Sequence, residues 1–217
     1  LRKIGVQPGD RIAGFMPNSQ ETVIAMLATT SIGAVWSACS PDFGLSGLLD
    51  RFQQIEPRIL FAVESHQYNG KCYQHLDKIK QLQTQLTTLE QTIIVPFIDK
   101  NPDISSLCNA LLWTDIDEDE TPDITFEQLP FNHPVYILYS SGTTGPPKCM
   151  VHGAGGTLLQ HLKELCLHTN LTDQDNIFFY TTCGWMMWNW LVSSLAVGAT
   201  IVLYDGSPFY PKSKRLL

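Results

Sequence analysis

Apolar residues fall along the chain in two alternating patterns, short unbroken runs and longer segments with helical spacing. The runs Arg11 to Met16, Ala34 to Ala38, Ile59 to Val63 and Thr92 to Val95 predict strands. Asn18-Ser19-Gln20-Glu21 reads as a capping box, with Asn18 as N-cap and Glu21 three residues on. A helix follows to about Ile32, where Gly33 ends it. Leu45, Leu48, Leu49, Phe52 and Ile55 recur at helical spacing, and Pro57 stops that helix. Leu76, Ile79, Leu82, Leu86 and Leu89 mark an amphipathic helix. Strands separated by helices of this size predict an α/β fold, doubly wound, with mostly parallel sheets and flanking helices.

From Asp99 to Pro134 the pattern weakens. The stretch is polar and Pro-containing, with Asp115-Ile116-Asp117-Glu118-Asp119-Glu120 at its centre, and reads as a solvated surface insertion. A calcium loop starting at Asp115 fails, because the sixth position is Glu120 instead of Gly and the twelfth is Phe126 instead of Glu. The pattern then resumes with a strand from Val135 to Tyr139, a Gly/Ser/Thr loop, an apolar run from Cys149 to Val151 and a helix from about Thr157 to Leu167. Asn176 to Tyr204 carries no charge and is long enough to span a bilayer. Gly184, Asn189, Ser193-Ser194 and Gly198 punctuate it, so it is read as a buried strand–helix–strand unit.

Composition narrows the class. Hydrophobic residues make up 44% and charged residues 16% of 217, which excludes a disordered chain. Fourteen Lys and Arg against 21 Asp and Glu give a formal charge of −7, which argues against nucleic acid as a partner. The six Cys are widely spaced and form no C-x-x-C pair, as expected of reduced thiols in a cytosolic protein. The chain opens on Leu1-Arg2-Lys3 without a Met or a secretory leader, and stops at Lys212 to Leu217 without a capping signal. It is read as a piece of a longer protein.

The residues best suited to chemistry are Tyr139-Ser140-Ser141-Gly142-Thr143-Thr144-Gly145-Pro146-Pro147-Lys148. Gly142 and Gly145 let backbone N–H groups approach oxyanions closely. The hydroxyls of Ser141, Thr143 and Thr144 add donors, and Lys148 adds a point charge. Pro146 and Pro147 stiffen the loop. A polyphosphate is the ligand this chemistry suits. A Walker loop fails, since Pro147 precedes Lys148 and Cys149 follows it. A dinucleotide fingerprint at Gly153-Ala154-Gly155-Gly156 fails because Leu158 stands where the last Gly is required.

This run resembles the phosphate-binding signature of the adenylate-forming superfamily, which contains acyl-CoA synthetases, peptide-synthetase adenylation domains and luciferases. Gly5-Val6-Gln7-Pro8-Gly9-Asp10-Arg11, Met16-Pro17-Asn18, Ile32-Gly33-Ala34-Val35-Trp36, Asp50-Arg51-Phe52 and Cys149-Met150-Val151-His152 are similar to its short-chain acyl-CoA synthetase branch. Ser40-Pro41-Asp42-Phe43-Gly44, Gly184-Trp185-Met186-Met187-Trp188-Asn189-Trp190 and Leu203-Tyr204-Asp205-Gly206-Ser207-Pro208 resemble the acetoacetate-activating members of that branch. The resemblance implies that residues 1–217 are part of a large N-terminal AMP-binding domain, with the C-terminal domain outside the chain. It implies ATP, Mg²⁺ and coenzyme A as the molecules used, and a place in lipid and ketone-body metabolism.

The same resemblance assigns Ser141, Gly142, Thr143, Thr144, Gly145 and Lys148 to the ATP phosphates, with Lys148 as the catalytic cation. It assigns Trp185, Met186 and Met187 to the acyl pocket. Acetate, propionate or butyrate are rival acids. The adenine pocket, a Mg²⁺-binding Glu and a C-terminal catalytic Lys are expected outside these residues, so the chain alone is expected to be inactive. An ATPase or kinase of another fold and a non-catalytic truncated homologue remain open. His161, Glu164 and His168 lie at helical spacing, but no further ligand at metal spacing follows, and no metal site is expected.

Overall fold

The computed structural model describes residues 1–116, 123–140 and 145–211. Its main sheet is built from β1 (Arg11–Phe15), β2 (Val35–Cys39), β3 (Ile59–Val63), β6 (Gln91–Val95), β7 (Ala110–Leu112), β8 (Pro134–Tyr139) and β9 (Cys149–Gly153). A hairpin of β4 (Ser65–Tyr68) and β5 (Lys71–Gln74) stands apart, as does a pair formed by β10 (Asn176–Phe178) and β11 (Thr200–Val202). The helices are α1 (Gln20–Ser31), α2 (Leu45–Ile55), α3 (Leu76–Gln85), α4 (Ala154–Lys163) and α5 (Met186–Ser193).

The main sheet runs in the order β7-β6-β3-β1-β2-β8-β9. Every pairing is parallel except β8 with β9. Because strand side chains alternate, each strand feeds two cores. Ile12, Trp36, Phe61 and Ile93 join one buried cluster with Met26 of α1 and Trp188 of α5. Ala13, Val35, Leu60 and Ile94 join another with Phe52 of α2 and Leu82 of α3. Burial on both faces explains why these strands are continuous apolar runs. The mostly parallel, doubly wound α/β arrangement expected from the sequence is the one observed.

Several local expectations change. The N-cap of α1 is Ser19, whose Oγ accepts from the Thr22 backbone N–H at 3.4 Å. Asn18 lies one residue earlier, and its carboxamide is used elsewhere: Trp188 Nε1 donates to its Oδ1 at 2.8 Å, and its Nδ2 donates to the Tyr204 carbonyl at 3.2 Å. The helix α2 ends as expected before Pro57. Arg11 supplies what the end of α2 needs, donating from Nε to the Ile55 carbonyl at 2.7 Å and from Nη2 to the Glu56 carbonyl at 3.2 Å.

The stretch read as a solvated insertion from 99 to 134 is only partly so. Within it, β7 pairs with β6 in parallel, Leu107 is buried, and Leu111 and Trp113 pack against the main core. Three apolar residues suffice to extend an edge, too few to register as a periodic signal. Asp117, Asp119 and Glu120 of its acidic centre lie outside the described residues.

Asn176 to Tyr204 forms the expected strand–helix–strand unit, with β10 and β11 parallel, but it is not buried throughout: Ile177, Trp188 and Leu191 are, whereas Phe178, Trp185 and Val202 are exposed. No helix among the described residues is long and apolar enough to cross a membrane.

Gly14 shows how tightly the first core is filled. A Cβ there would stand 2.7 Å from Trp36 Cη2 and 2.8 Å from Cζ2, and that indole is fully buried. Gly14→Ala should therefore destabilise the fold by about 1–3 kcal/mol through overpacking, read as a lower urea midpoint at unchanged slope.

Candidate active site

The carboxyl ends of β1, β2, β3 and β8 face one edge of the sheet, where open parallel sheets bind ligands. Here β8 pairs antiparallel with β9, the next strand in the chain, with Tyr139 opposite Cys149. The base of this loop is closed by Ser140 N–H donating to the Lys148 carbonyl at 3.0 Å and Lys148 N–H donating to Ser140 Oγ at 3.3 Å. From α2, Gln54 Nε2 donates to the Pro147 carbonyl at 2.8 Å. The stem is therefore anchored at its returning side. Gly145 and Lys148 are exposed. Ser141, Gly142, Thr143 and Thr144 lie outside the described residues.

Tyr139, at the mouth of the loop, shares a hydrogen bond with Ser37 at 2.9 Å, and burial pushes its phenol well above the ordinary range. Cys149 is half-buried, and desolvation raises its thiol, the opposite of what a nucleophile needs. Burial likewise holds Cys39 up at about 12.

Trp185, Met186 and Met187 come together at the start of α5. With Phe179, Tyr180, Thr181 and Thr182 they line a mostly apolar cavity of about 370 Å³. Trp185 is 66% exposed and also borders a smaller cavity beside Tyr139. Trp188 and Trp190 point elsewhere. Trp188 is buried against Asn18, and Trp190 packs with Leu165 and Ile177. The first three residues of the Trp/Met run thus share a wall, and the others are scaffold.

The residues weighed as zinc ligands do not converge. His161 is buried with Nδ1 bonded to Ser193 at 2.8 Å, and Glu164 pairs with Lys163 at 3.1 Å. Among the described residues no group of three or more His, Cys, Asp or Glu side chains is placed to hold a metal.

One part of this edge escaped the sequence reading. The β4–β5 hairpin turns at Asn69-Gly70, both with positive φ (50° and 75°), and that dipeptide is the signal that could have found it. The hairpin carries His66, whose Nδ1 lies 2.7 Å from His75 Nε2 and whose Nε2 lies 3.4 Å from Asp42 Oδ1. A cavity of about 190 Å³ opens here, lined by Asn18, Asp42, His66, Tyr180, Tyr204 and Asp205 among others. The hydrogen bond to His66 and then that to Ser40 hold Asp42 below the usual carboxylate range, whereas burial raises Asp205.

Burial, followed by the charge of Lys78, depresses His75 to about 3. The unfolded chain takes up a proton near pH 6.5 that the folded chain refuses, so this residue favours folding above pH 6.5. That contribution falls as the pH drops from about 6.5 to about 3. In His75→Gln the loss of thermal stability across this window should be shallower than in the unsubstituted protein, as checked by melting temperature against pH.

Comparison with known proteins bears on the whole chain. The family model described as "AMP-binding enzyme" matches residues 1–217. The chain is 54% identical over 222 residues to acetoacetyl-CoA synthetase of Gallus gallus, covering 100% of this chain and 33% of that protein. It is 47% identical over 220 residues to malonamoyl-CoA synthetase of Penicillium aethiopicum, covering 97% of this chain and 30% of that protein. Among solved structures, an acetoacetyl-CoA synthetase from Streptomyces lividans superposes with a TM-score of 0.92 at 47% identity, covering 98% of this chain and 32% of that one. The chain thus spans about a third of the length of these relatives.

Proposed function

Because the chain belongs to the AMP-binding enzyme family, we propose that the protein containing it activates acetoacetate with ATP and passes the acyl group to coenzyme A. The acid's carboxylate attacks the α-phosphorus of ATP, pyrophosphate leaves, and an acyl-adenylate forms. The coenzyme A thiolate then attacks the acyl carbon, the acyl–oxygen bond breaks, and AMP departs. One observation carries the reading: a loop suited to phosphate closes at the carboxyl end of β8, on the same edge as the cavity of Trp185, Met186 and Met187.

The roles follow from charge. In the first step an anion approaches a polyanion, so donors fixed in advance lower the barrier more than donors that must reorient. Ser141, Gly142, Thr143, Thr144 and Gly145 offer hydroxyl and backbone donors to the departing phosphates. Lys148 neutralises the charge that grows on pyrophosphate as it leaves. Mg²⁺ enters with the triphosphate. The described residues gather no cage for it.

Trp185, Met186 and Met187 shape the acid's end of the site. Large polarisable side chains leave a slot for a short acid and exclude longer ones. The relative named malonamoyl-CoA synthetase favours a second reading of the acid, a short chain ending in an amide instead of a ketone. The site of action is proposed to be the cytosol, in keeping with six free thiols.

Pyrophosphate release by the full-length protein is the test, with acetoacetate, malonamate, acetate and butyrate offered in turn. Acetoacetate should give the highest kcat/KM, and equal rates for acetate would overturn the substrate assignment. Lys148→Ala should lower kcat by about 10²–10³ while the melting temperature stays unchanged, because the side chain is exposed. An unaffected kcat would remove Lys148 from the chemistry. Trp185→Ala should shift preference toward longer acids by about tenfold.

A further inference from the structure

Arg51 sits on α2 and borders a cavity at the carboxyl edge of the sheet. Its guanidinium lies 4.5 Å from the centre of the Phe43 ring and 5.6 Å from that of Tyr139. Its Nη1 donates to the Gly47 carbonyl at 2.8 Å, one turn back along the helix. The head is therefore held by two rings and one hydrogen bond. Its remaining N–H groups make no hydrogen bond among the described residues.

This group borders a cavity of about 110 Å³ together with Cys39, Phe43, Tyr139 and Trp185. No carboxylate among the described residues stands within 4 Å of it. The thiol of Cys39 and the phenol of Tyr139 are both kept neutral by burial. A half-buried guanidinium, held in position and facing only neutral groups, lacks the counter-charge that such groups ordinarily carry. The planar fork matches a carboxylate or a phosphate oxygen pair. The cavity is too small for a nucleotide, but it suits one anionic head group.

We propose that Arg51 and the cavity it shares with Trp185 and Tyr139 form an oxyanion-binding site, seating the carboxylate of the acid or one phosphate of the triphosphate beside the loop. The inference rests on the adenylation reading for the identity of its ligand. Its geometry stands apart from that reading. The aromatic pair fixes the direction of the fork, so binding costs little side-chain ordering.

The experiment uses the full-length protein and its Arg51→Gln and Arg51→Lys variants. Calorimetry measures binding of acetoacetate alone and of inorganic pyrophosphate alone, and steady-state pyrophosphate release gives the KM for acid and for ATP. A carboxylate site predicts that Arg51→Gln weakens acetoacetate binding and raises its KM by about tenfold or more, with the KM for ATP unchanged. A phosphate site predicts the reverse split. Arg51→Lys should recover part of the loss in either case, since it restores charge without the fork.

The proposal is overturned if Arg51→Gln, with an unchanged melting temperature, binds both ligands as the unsubstituted protein does. Should that variant fail to fold, Arg51→Lys carries the test, and unchanged affinities for both ligands would overturn the proposal equally. If the unsubstituted protein releases no pyrophosphate with any acid, the adenylation reading falls, while the binding arm still decides the fate of Arg51.

Discussion

A single buried carboxamide decides where the two parts of this chain meet. Asn18, just past the end of β1, accepts from the Trp188 indole and donates to the Tyr204 backbone. Trp188 is fully buried, so its N–H has no water to turn to. Leaving such a donor without a partner costs about 1–3 kcal/mol. Nearby, the Cys183 thiol donates to the Met16 carbonyl at 2.8 Å. These long-range bonds pin the segment after β10 and the helix α5 against the carboxyl edge of the main sheet. The apolar cavity and the Gly/Ser/Thr loop after β8 share an edge for that reason. Either could exist without the other if Asn18 were merely a helix cap.

Local charge at this edge is arranged against the acidic balance of the chain as a whole. The formal charge is −7, yet Arg51 borders the cavity beside Tyr139, and the exposed Lys148 directly precedes Cys149, the residue paired with Tyr139. The side near the β4–β5 hairpin presents Asp42 and Asp205, with His66 between them and the neutral His75. Attraction for an anion depends on fixed charges within a few ångströms more than on the net charge, which salt screens. On the proposed reading, an acidic protein can therefore receive a polyanion at an edge whose local charge differs from that of the chain as a whole.

The strands were legible because burial on both faces turns them into unbroken apolar runs, and β3 is buried along its whole length. The helices were legible from their stripes, as with Leu48, Phe52 and Ile55 on α2. The Gly/Ser/Thr loop stood out because its residues are consecutive. What sequence order hides is contact between distant residues. Asn18 looked like a cap because its partners lie at 188 and 204. β7 looked like loop because three residues on an edge carry no period. Arg51 stood in the sequence only as part of the family-like run Asp50-Arg51-Phe52, with no role, because Phe43, Tyr139 and Trp185 surround it only after folding. The Asn69-Gly70 turn is different, a local signal that went unused.

The central claim is that an acid's oxygen bonds to the α-phosphorus of ATP at this edge. The direct measurement follows that oxygen. Acetoacetate labelled with ¹⁸O in its carboxylate is turned over by the full-length protein with ATP and coenzyme A, and the nucleotide product is examined by mass spectrometry. The account predicts AMP carrying one labelled oxygen, because the thiolate breaks the acyl–oxygen bond and leaves that oxygen on phosphorus. Unlabelled AMP, or ADP with the label in inorganic phosphate, would contradict it.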